Sequence, residues 1–350
     1  MSAAIQINNR RVGAGQPAYV VAEISANHHQ EFDQAVQLVR AAQEAGADAV
    51  KLQTYTPDTL TLRSDDDAFR IQGGTLWDGR TLYDLYAEAF TPWDWIPRLQ
   101  AVAANLGIAL FSTAYDPSSV DFLEQLGVPV HKIASFELVD IPLIEKMGRT
   151  RKPLIISTGM ATFAEIEAAV QTARAAGSTG IALLKCTSAY PAPPEEMNLR
   201  TIPHLAEAFN LPVGLSDHTL GIAVPAAAVV LGACIIEKHM TLSRCLPGPD
   251  SPFSLEPAEF KAMVEAVRTV EQSLGEVRYG TSVHENRSRT HRRSLYIVKP
   301  VKAGEPFTRH NVRSVRPANG LPPKCLNQVL SRTAAIDIAS GTPLEWRHVG

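Results

Sequence analysis

Four cysteines in 350 residues are too few for a disulfide framework. Cys186, Cys234, Cys245 and Cys325 form no C-x-x-C pair, so reduced thiols in a cytoplasmic protein are the simplest reading. Cys186 and Cys234 sit inside apolar runs and read as small core residues. Long apolar runs are missing too. The longest, Ile222 to Ile236, contains Pro225 and Gly232 and falls short of the roughly 18 to 20 residues a bilayer span needs. No apolar run of signal-peptide type follows Arg10 and Arg11. Neither a membrane partner nor export is expected. A G-x-G-x-x-G turn is also absent, because the first apolar run ends Glu23-Ile24-Ser25-Ala26-Asn27, which argues against a dinucleotide-binding fold.

What is present suffices for a large core: the chain is 45% hydrophobic and 20% charged, and its length suits two unequal domains. The formal net charge of −3 conceals a split. Of 33 Lys and Arg and 36 Asp and Glu, thirteen and five lie beyond residue 275, giving +8 there and leaving −11 in the rest. A basic tail on an acidic body raises a nucleic-acid arm as a first reading. Its Arg and Lys are spread through turns with few interleaved aromatics, which disfavours that reading, and no nucleic-acid partner is expected.

Residues 1–275 alternate between β-rich runs and helical patterns. The runs are 18–25, 48–55, 108–114, 130–137, 153–159, 181–187, 212–218 and 234–241. Between them, Thr162 and Glu165 predict a capping box, Ile166, Ala169, Val170 and Ala173 a buried stripe, and Gly177 a helix stop. Eight strand–helix units in about 250 residues predict a (β/α)8 barrel. Between the second and third runs, a helix is predicted over 93–106, preceded by an insertion around Gly73-Gly74-Thr75-Leu76-Trp77-Asp78-Gly79-Arg80-Thr81-Leu82-Tyr83. Loops this long are usually functional, so a lid or substrate loop is expected, against a packing flap over the barrel mouth. Residues 276–293 read as a polar, basic linker, and 294–350 as a small β-rich module. That module carries an internal repeat, Val301 to Val312 against Ile338 to Val349, at an offset of 37.

In such a barrel the active face lies at the C-terminal strand ends. Those ends carry Glu23, Lys51 and Gln53, Ser112 and Thr113, Lys132, Ser135 and Glu137, Ser157, Thr187 and Ser188, Ser216 and His218, then Glu237, Lys238 and His239. Buried lysines need partners. Lys51 and Lys132 could pair with Glu23 and Glu137, form a Schiff base as in an aldolase, or clamp a phosphate and a carboxylate. The many hydroxyls favour the clamp. Lys132 has the opposite parity to Ser135 and Glu137, so the strand must end or bulge after Lys132. His218 and His239 end neighbouring strands and could share a divalent ion. With no third His or Cys nearby, a six-coordinate ion fits better than structural zinc. Pro247-Gly248-Pro249-Asp250 is a rigid turn that sets one carboxylate near the mouth.

These segments resemble the sialic acid synthase family. The resemblance rests on 22–28 (AEISANH), 50–54 (VKLQT), 131–135 (HKIAS), 157–160 (STGM), 185–191 (KCTSAYP), 214–219 (GLSDHT), 237–239 (EKH), 247–250 (PGPD) and 315–317 (VRP). It extends to the C-terminal module, which resembles an antifreeze-like (SAF) domain. Within the family, residues 74–83 and Ser188 are similar to the branch that makes pseudaminic acid from 2,4-diacetamido-2,4,6-trideoxy-altrose; N-acetylneuraminate synthases usually carry Asn at the position of Ser188. Two departures stand out: His29 for a common Asn, and Ala318 for the Gly of R-P-G-N-G.

The resemblance implies condensation of phosphoenolpyruvate with an amino sugar and release of phosphate. It implies phosphoenolpyruvate contacts from Lys51, Thr113, Lys132, Ser135, Ser157, Ser188 and Ser216, with Gln53 and Tyr190 lining the pocket. His218 and His239 would bind Mn2+, Mg2+ or Co2+. Glu137, Asp250 and Arg316 would hold the sugar, with Trp77 and Tyr83 contributed by the insertion. Glu23 would manage the proton of an attacking water. A domain-exchanged homodimer follows from the family, the basic module reaching the barrel of a second copy.

Overall fold

The structure is a computed structural model that describes residues 4–350. The chain divides into two compact units at Gly275/Glu276. No helix among the described residues is long and apolar enough to cross a membrane.

The first unit opens with a hairpin, β1 (Ala4–Ile7) and β2 (Arg10–Gly13), turned at Asn8 with φ 50°. Eight parallel strands then close into a barrel: β3 (Tyr19–Glu23), β4 (Ala49–Thr54), β5 (Ala109–Ala114), β6 (His131–Ile133), β7 (Leu154–Ser157), β8 (Ile181–Cys186), β9 (Val213–Asp217) and β10 (Ile235–His239). β10 pairs with β3, so no edge remains. These are the eight runs expected from the sequence.

Alternation sorts the strand residues into two apolar sets. Val20, Val50, Leu110, Ile156, Leu183 and Ile236 face outward and pack under the helices. Val21, Ala49, Phe111, Ile155, Leu184 and Ile235 face the barrel axis and form a separate cluster. Ile5, Ile7 and Val12 of the hairpin join that inner cluster and plug the N-terminal end. Ile5 lies so close to Gly180 that a Cβ there would come within 2.9 Å of it.

The helices follow their punctuation. Phe163–Ala176 begins at the Thr162–Glu165 capping box, buries Ile166, Ala169, Val170 and Ala173, and stops at Gly177 with φ 105°. Between β4 and β5 the expected helix is Ile96–Leu106, with Trp93–Trp95 a 3-10 turn ahead of it; a further helix, Leu82–Ala89, takes up Leu82 and Tyr83 at the end of the insertion. The insertion is an ordered excursion. Its tip is closed by the Asp78 carboxylate, which accepts from the backbone N–H of Gly74 and Thr75 and from the Thr75 hydroxyl at 2.7–2.9 Å. Arg70 and Thr81 bridge its two arms.

The second unit has β11 (Ser294–Ile297) paired with β12 (Val312–Val315) over a core of Leu295, Ile297, Phe307, Val329 and Leu344. A short helix, Val283–Ser288, occupies the segment that reads as a linker. The repeat is structural. Val301 and Ile338, its two equivalent starts, exchange backbone hydrogen bonds at 2.9 and 2.8 Å. The equivalent Gly304 and Gly341 have φ 84° and 87°, a conformation that favours glycine.

Candidate active site

The inward face changes character toward the C-terminal strand ends. Two residues beyond the apolar floor, the same parity brings Glu23, Lys51, Thr113, Ser157, Cys186 and Glu237 inward. Lys51 is ion-paired with Glu23, donates to Thr113 Oγ1 at 3.1 Å, and lies 3.6 Å from Glu237 Oε1. Ser216 Oγ donates to the same Glu237 oxygen at 3.0 Å. Burial opposes the charge of Glu237, but Lys51 and Lys132 outweigh it and hold the carboxyl down to about 2. Burial likewise opposes the charge of Lys51, and Glu23 and Glu237 overcome it, raising its pKa. Lys132 has weaker compensation, and burial leaves its pKa lowered. Its ammonium donates to Ser157 Oγ at 2.6 Å and the Ile133 carbonyl at 2.9 Å.

The parity conflict around Lys132 is resolved by a chain exit. β6 stops at Ile133, and the chain enters a 3-10 helix at Glu137–Val139, carrying Ser135 and Glu137 out of the sheet. Ser135 and Ser188 hydroxyls meet at 2.9 Å. Gly159 lies against both: its φ is +40°, and an added Cβ would fall 2.3 Å from Ser135 Cβ and 2.7 Å from Ser188 Oγ. Its N–H donates to Cys186 Sγ at 3.0 Å. Only glycine fits this approach. Glu137 is driven up to about 7, principally by burial, and its Oε2 is buried without a hydrogen-bond partner.

His218 and His239 stand with ring centroids 5.5 Å apart. His218 Nδ1 lies 2.9 Å from the Thr187 carbonyl, which can only accept, so this nitrogen carries the proton and Nε2 keeps its lone pair. Burial and the neighbouring imidazole push His218 down to about 3, which favours the neutral, ligating form. His239 Nδ1 is buried without a hydrogen-bond partner, although Asp250 Oδ2 lies 3.2 Å away. This donor set fits a divalent cation. Among the described residues no group of three or more His, Cys, Asp or Glu is gathered for a closed cage, so two protein ligands would leave positions for water and substrate.

An aromatic wall borders the histidines. Tyr190 packs on His218 at 4.4 Å and Phe253 at 5.2 Å, and Phe253 meets His239 at 5.0 Å. Trp77 leans on Tyr190 at 5.8 Å and donates from Nε1 to the Pro249 carbonyl at 3.1 Å, tethering the insertion beside Asp250. The loop after β3 ties in from the other side. Asn27 bonds the Met240 carbonyl, Ser254 and Ser251, and Gln30 bonds the carbonyls of Glu88 and Phe90.

One residue expected from the first unit, Tyr83, is not brought to this cluster. Tyr83 sits on the far part of the insertion, donating to Asp58 Oδ1 at 3.2 Å with Arg63 over its ring. Arg316 is exposed in the second unit. Gln53 stands beside Thr113 in register. Lys238, one of the polar strand ends, points outward and pairs with Asp217. The two departures from the family pattern behave differently. Ala318 is not among the residues with positive φ, so it meets no such strain, and Gly320 is the tight position: a Cβ there would fall 2.4 Å from the Leu295 carbonyl. His29 does take φ 51°, where Asn is better accommodated. Glu237, Tyr55, Tyr115 and Phe253 are site residues that motif reasoning assigns no role. Tyr55 and Tyr115 each follow a strand end by one residue and touch ring to ring at 5.2 Å, a signal that parity alone could have raised.

Comparison with known proteins settles the family. The model of the NeuB family matches residues 38–279, and that of the SAF domain matches residues 292–350. The chain belongs to the NeuB family. It is an enzyme, a transferase of the sialic acid synthase type. The chain is 44% identical over 331 residues to "Pseudaminic acid synthase" of Helicobacter pylori, covering 94% of this chain and 97% of that protein. It is 36% identical over 342 residues to "N,N'-diacetyllegionaminic acid synthase" of Legionella pneumophila, covering 96% of each. Among solved structures, the spore coat polysaccharide biosynthesis protein SpsE of Bacillus subtilis superposes with a TM-score of 0.68 at 34% identity, over 99% of both chains.

Proposed function

We propose that this NeuB-family enzyme condenses phosphoenolpyruvate with 2,4-diacetamido-2,4,6-trideoxy-altrose, giving pseudaminic acid and inorganic phosphate. The observation that carries the reading is the convergence of Lys51 and Lys132 with Thr113, Ser157, Ser135 and Ser188 on one barrel axis. Two ammonium groups ringed by hydroxyls suit a ligand with a phosphate and a carboxylate. A Schiff base would need one lysine and an electrophile, and it would leave the hydroxyl ring unexplained.

Held there, the methylene carbon of phosphoenolpyruvate attacks the open-chain aldehyde, and positive charge develops at the adjacent carbon. Water adds at that carbon, and the C–O bond to phosphate breaks. The clamp contributes by fixing the nucleophile against the aldehyde. Glu23, buried and paired with Lys51, takes the proton of the water. Glu137, held near neutrality, bonds the sugar together with Asp250. A cation bound by His218 and His239 (Mn2+, Mg2+ or Co2+) would supply Lewis acidity to the aldehyde oxygen. Trp77 and Tyr190 offer an apolar face to a sugar bearing a deoxy methyl and two acetamido groups.

Phosphate release decides the acceptor. The altrose derivative should support it and N-acetylmannosamine should not; the reverse result sinks the proposal. The legionaminic acid precursor is the competing acceptor, and the 36% relative motivates its inclusion. Chelator should abolish turnover, and restored Mn2+ should recover it. Lys132→Ala should raise the KM for phosphoenolpyruvate by roughly 10- to 100-fold, the loss of a charge-assisted contact. Unchanged saturation by phosphoenolpyruvate would refute the clamp.

The same proposal extends to assembly as a homodimer, in which the basic second unit of one copy, with Arg316, serves the acidic barrel of the other. Opposite net charges of +8 and −11 support it through long-range steering. A chain ending at Gly275 should lose activity and dimerise poorly; a fully active monomeric barrel would overturn this arrangement.

A further inference from the structure

Behind the histidines, on the outer face of the barrel, lies a charged pair that the reaction does not use. Asp217 precedes His218, and Lys238 precedes His239. The two are register partners on β9 and β10, and their side chains point away from the axis. Each residue is only 1% exposed. Lys238 Nζ donates to Asp217 Oδ2 at 2.6 Å and also to the Thr219 carbonyl. The Asp217 carboxylate further accepts from the Thr219 N–H at 3.0 Å and the Thr219 hydroxyl at 3.1 Å. Every polar group of Thr219, the residue just after His218, is therefore tied to this pair.

A buried ion pair is poor evidence for stability, since desolvation offsets most of its attraction and two apolar residues could fill the space as well. What apolar residues could not do is hold the backbone on both sides of His218. Here Asp217 and Thr219 are locked together while His218 Nδ1 is held by the Thr187 carbonyl. One side of the pair thus sets the emergence of His218 from β9, and the other side sets its distance from β10 and His239.

We propose that the Asp217–Lys238 pair is a positioning device that holds His218 and His239 at a spacing suited to one divalent cation. This rests on the reading of those histidines as metal ligands. Supporting outer groups of this kind commonly govern metal affinity by 10- to 100-fold.

The test uses the full-length chain and Mn2+ alone, with free Mn2+ read by electron paramagnetic resonance. Lys238→Met and the double variant Asp217→Asn/Lys238→Met should each bind Mn2+ roughly 10- to 100-fold more weakly. Phosphoenolpyruvate affinity without metal, read by tryptophan fluorescence, should change less than about twofold, because Lys51 and Lys132 lie on other strands and Ser216, the expected contact on β9, is held from the inner face by Glu237. The double variant leaves no uncompensated charge, so it serves where the single variant fails to fold. Mn2+ affinity within twofold of wild type in a folded variant overturns the proposal, and so does an equal loss of phosphoenolpyruvate affinity. His218→Ala is the reference. If it binds Mn2+ as wild type does, or if wild type binds none, the metal reading itself fails and takes this proposal with it.

Discussion

Replacing Glu137 by Gln tests the electrostatics of the mouth without any substrate. Burial raises this carboxyl to about 7, against the opposing pull of its own backbone N–H and then of Lys132, and its Oε2 has no hydrogen-bond partner. In the unfolded chain the group titrates near its ordinary value of 4.5. Between these two values the folded state binds more protons than the unfolded state, so this group's contribution to stability falls as pH rises. Below 4.5 both states are protonated and Gln should behave like Glu. Above 7 the wild type bears a buried charge only partly compensated by its own backbone N–H and by Lys132, a penalty of about 3 kcal/mol from the separation of the two values. Glu137→Gln should therefore match wild type near pH 4.5 and exceed it by up to about 3 kcal/mol at pH 8. Urea unfolding of both chains at a series of pH values, followed by tryptophan fluorescence, reads that difference. A stability gap that does not change with pH would show that Glu137 titrates normally, and the neutral sugar contact would go with it.

Gly159→Ala should cost roughly 2 kcal/mol through strain and crowding and raise the KM for phosphoenolpyruvate, since the new methyl collides with Ser135 and Ser188; thermal unfolding and steady-state kinetics measure both. Trp77→Ala should raise the KM for the sugar at least tenfold and that for phosphoenolpyruvate far less, because Trp77 touches Pro249 and Tyr190 but none of the lysine cluster, and reaches the phosphoenolpyruvate pocket only through Tyr190. Equal changes in both constants would count against that assignment. His29→Asn should stabilise the chain by on the order of 0.5–1 kcal/mol, since Asn tolerates a left-handed backbone better, and unfolding midpoints would reveal it.

The barrel was legible because its strands are buried on both faces and punctuated by capped helices; the Thr162–Glu165 box and Gly177 mark their helix to the residue. The inward placement of the polar strand ends was legible through parity, and the clash of parity at Lys132 foretold that its strand must end or bulge, as it does at Ile133. The hairpin was not, although Ile5, Ile7 and Val12 around Asn8-Asn9 carry a strand–turn signal; four-residue strands give too little periodicity to separate from a tail. Trp77 and Tyr83 look equivalent in sequence, and only the path of the insertion turns one to the wall and the other to Asp58. Glu237 and Lys238 are adjacent charges with opposite fates. Which faces the axis depends on register, and which partner each meets depends on neighbouring strands distant in sequence.

The hairpin seated under the barrel makes the interior a vessel with a single door. Ile5, Ile7 and Val12 close the floor, so the approach to Lys51 and Lys132 is from the C-terminal strand ends, the side on which Trp77 and Tyr190 stand. If the proposed reaction runs in this vessel, traffic should be last in, first out: the ligand of the lysines should enter before that of the aromatic wall, and phosphate should leave after the sugar product.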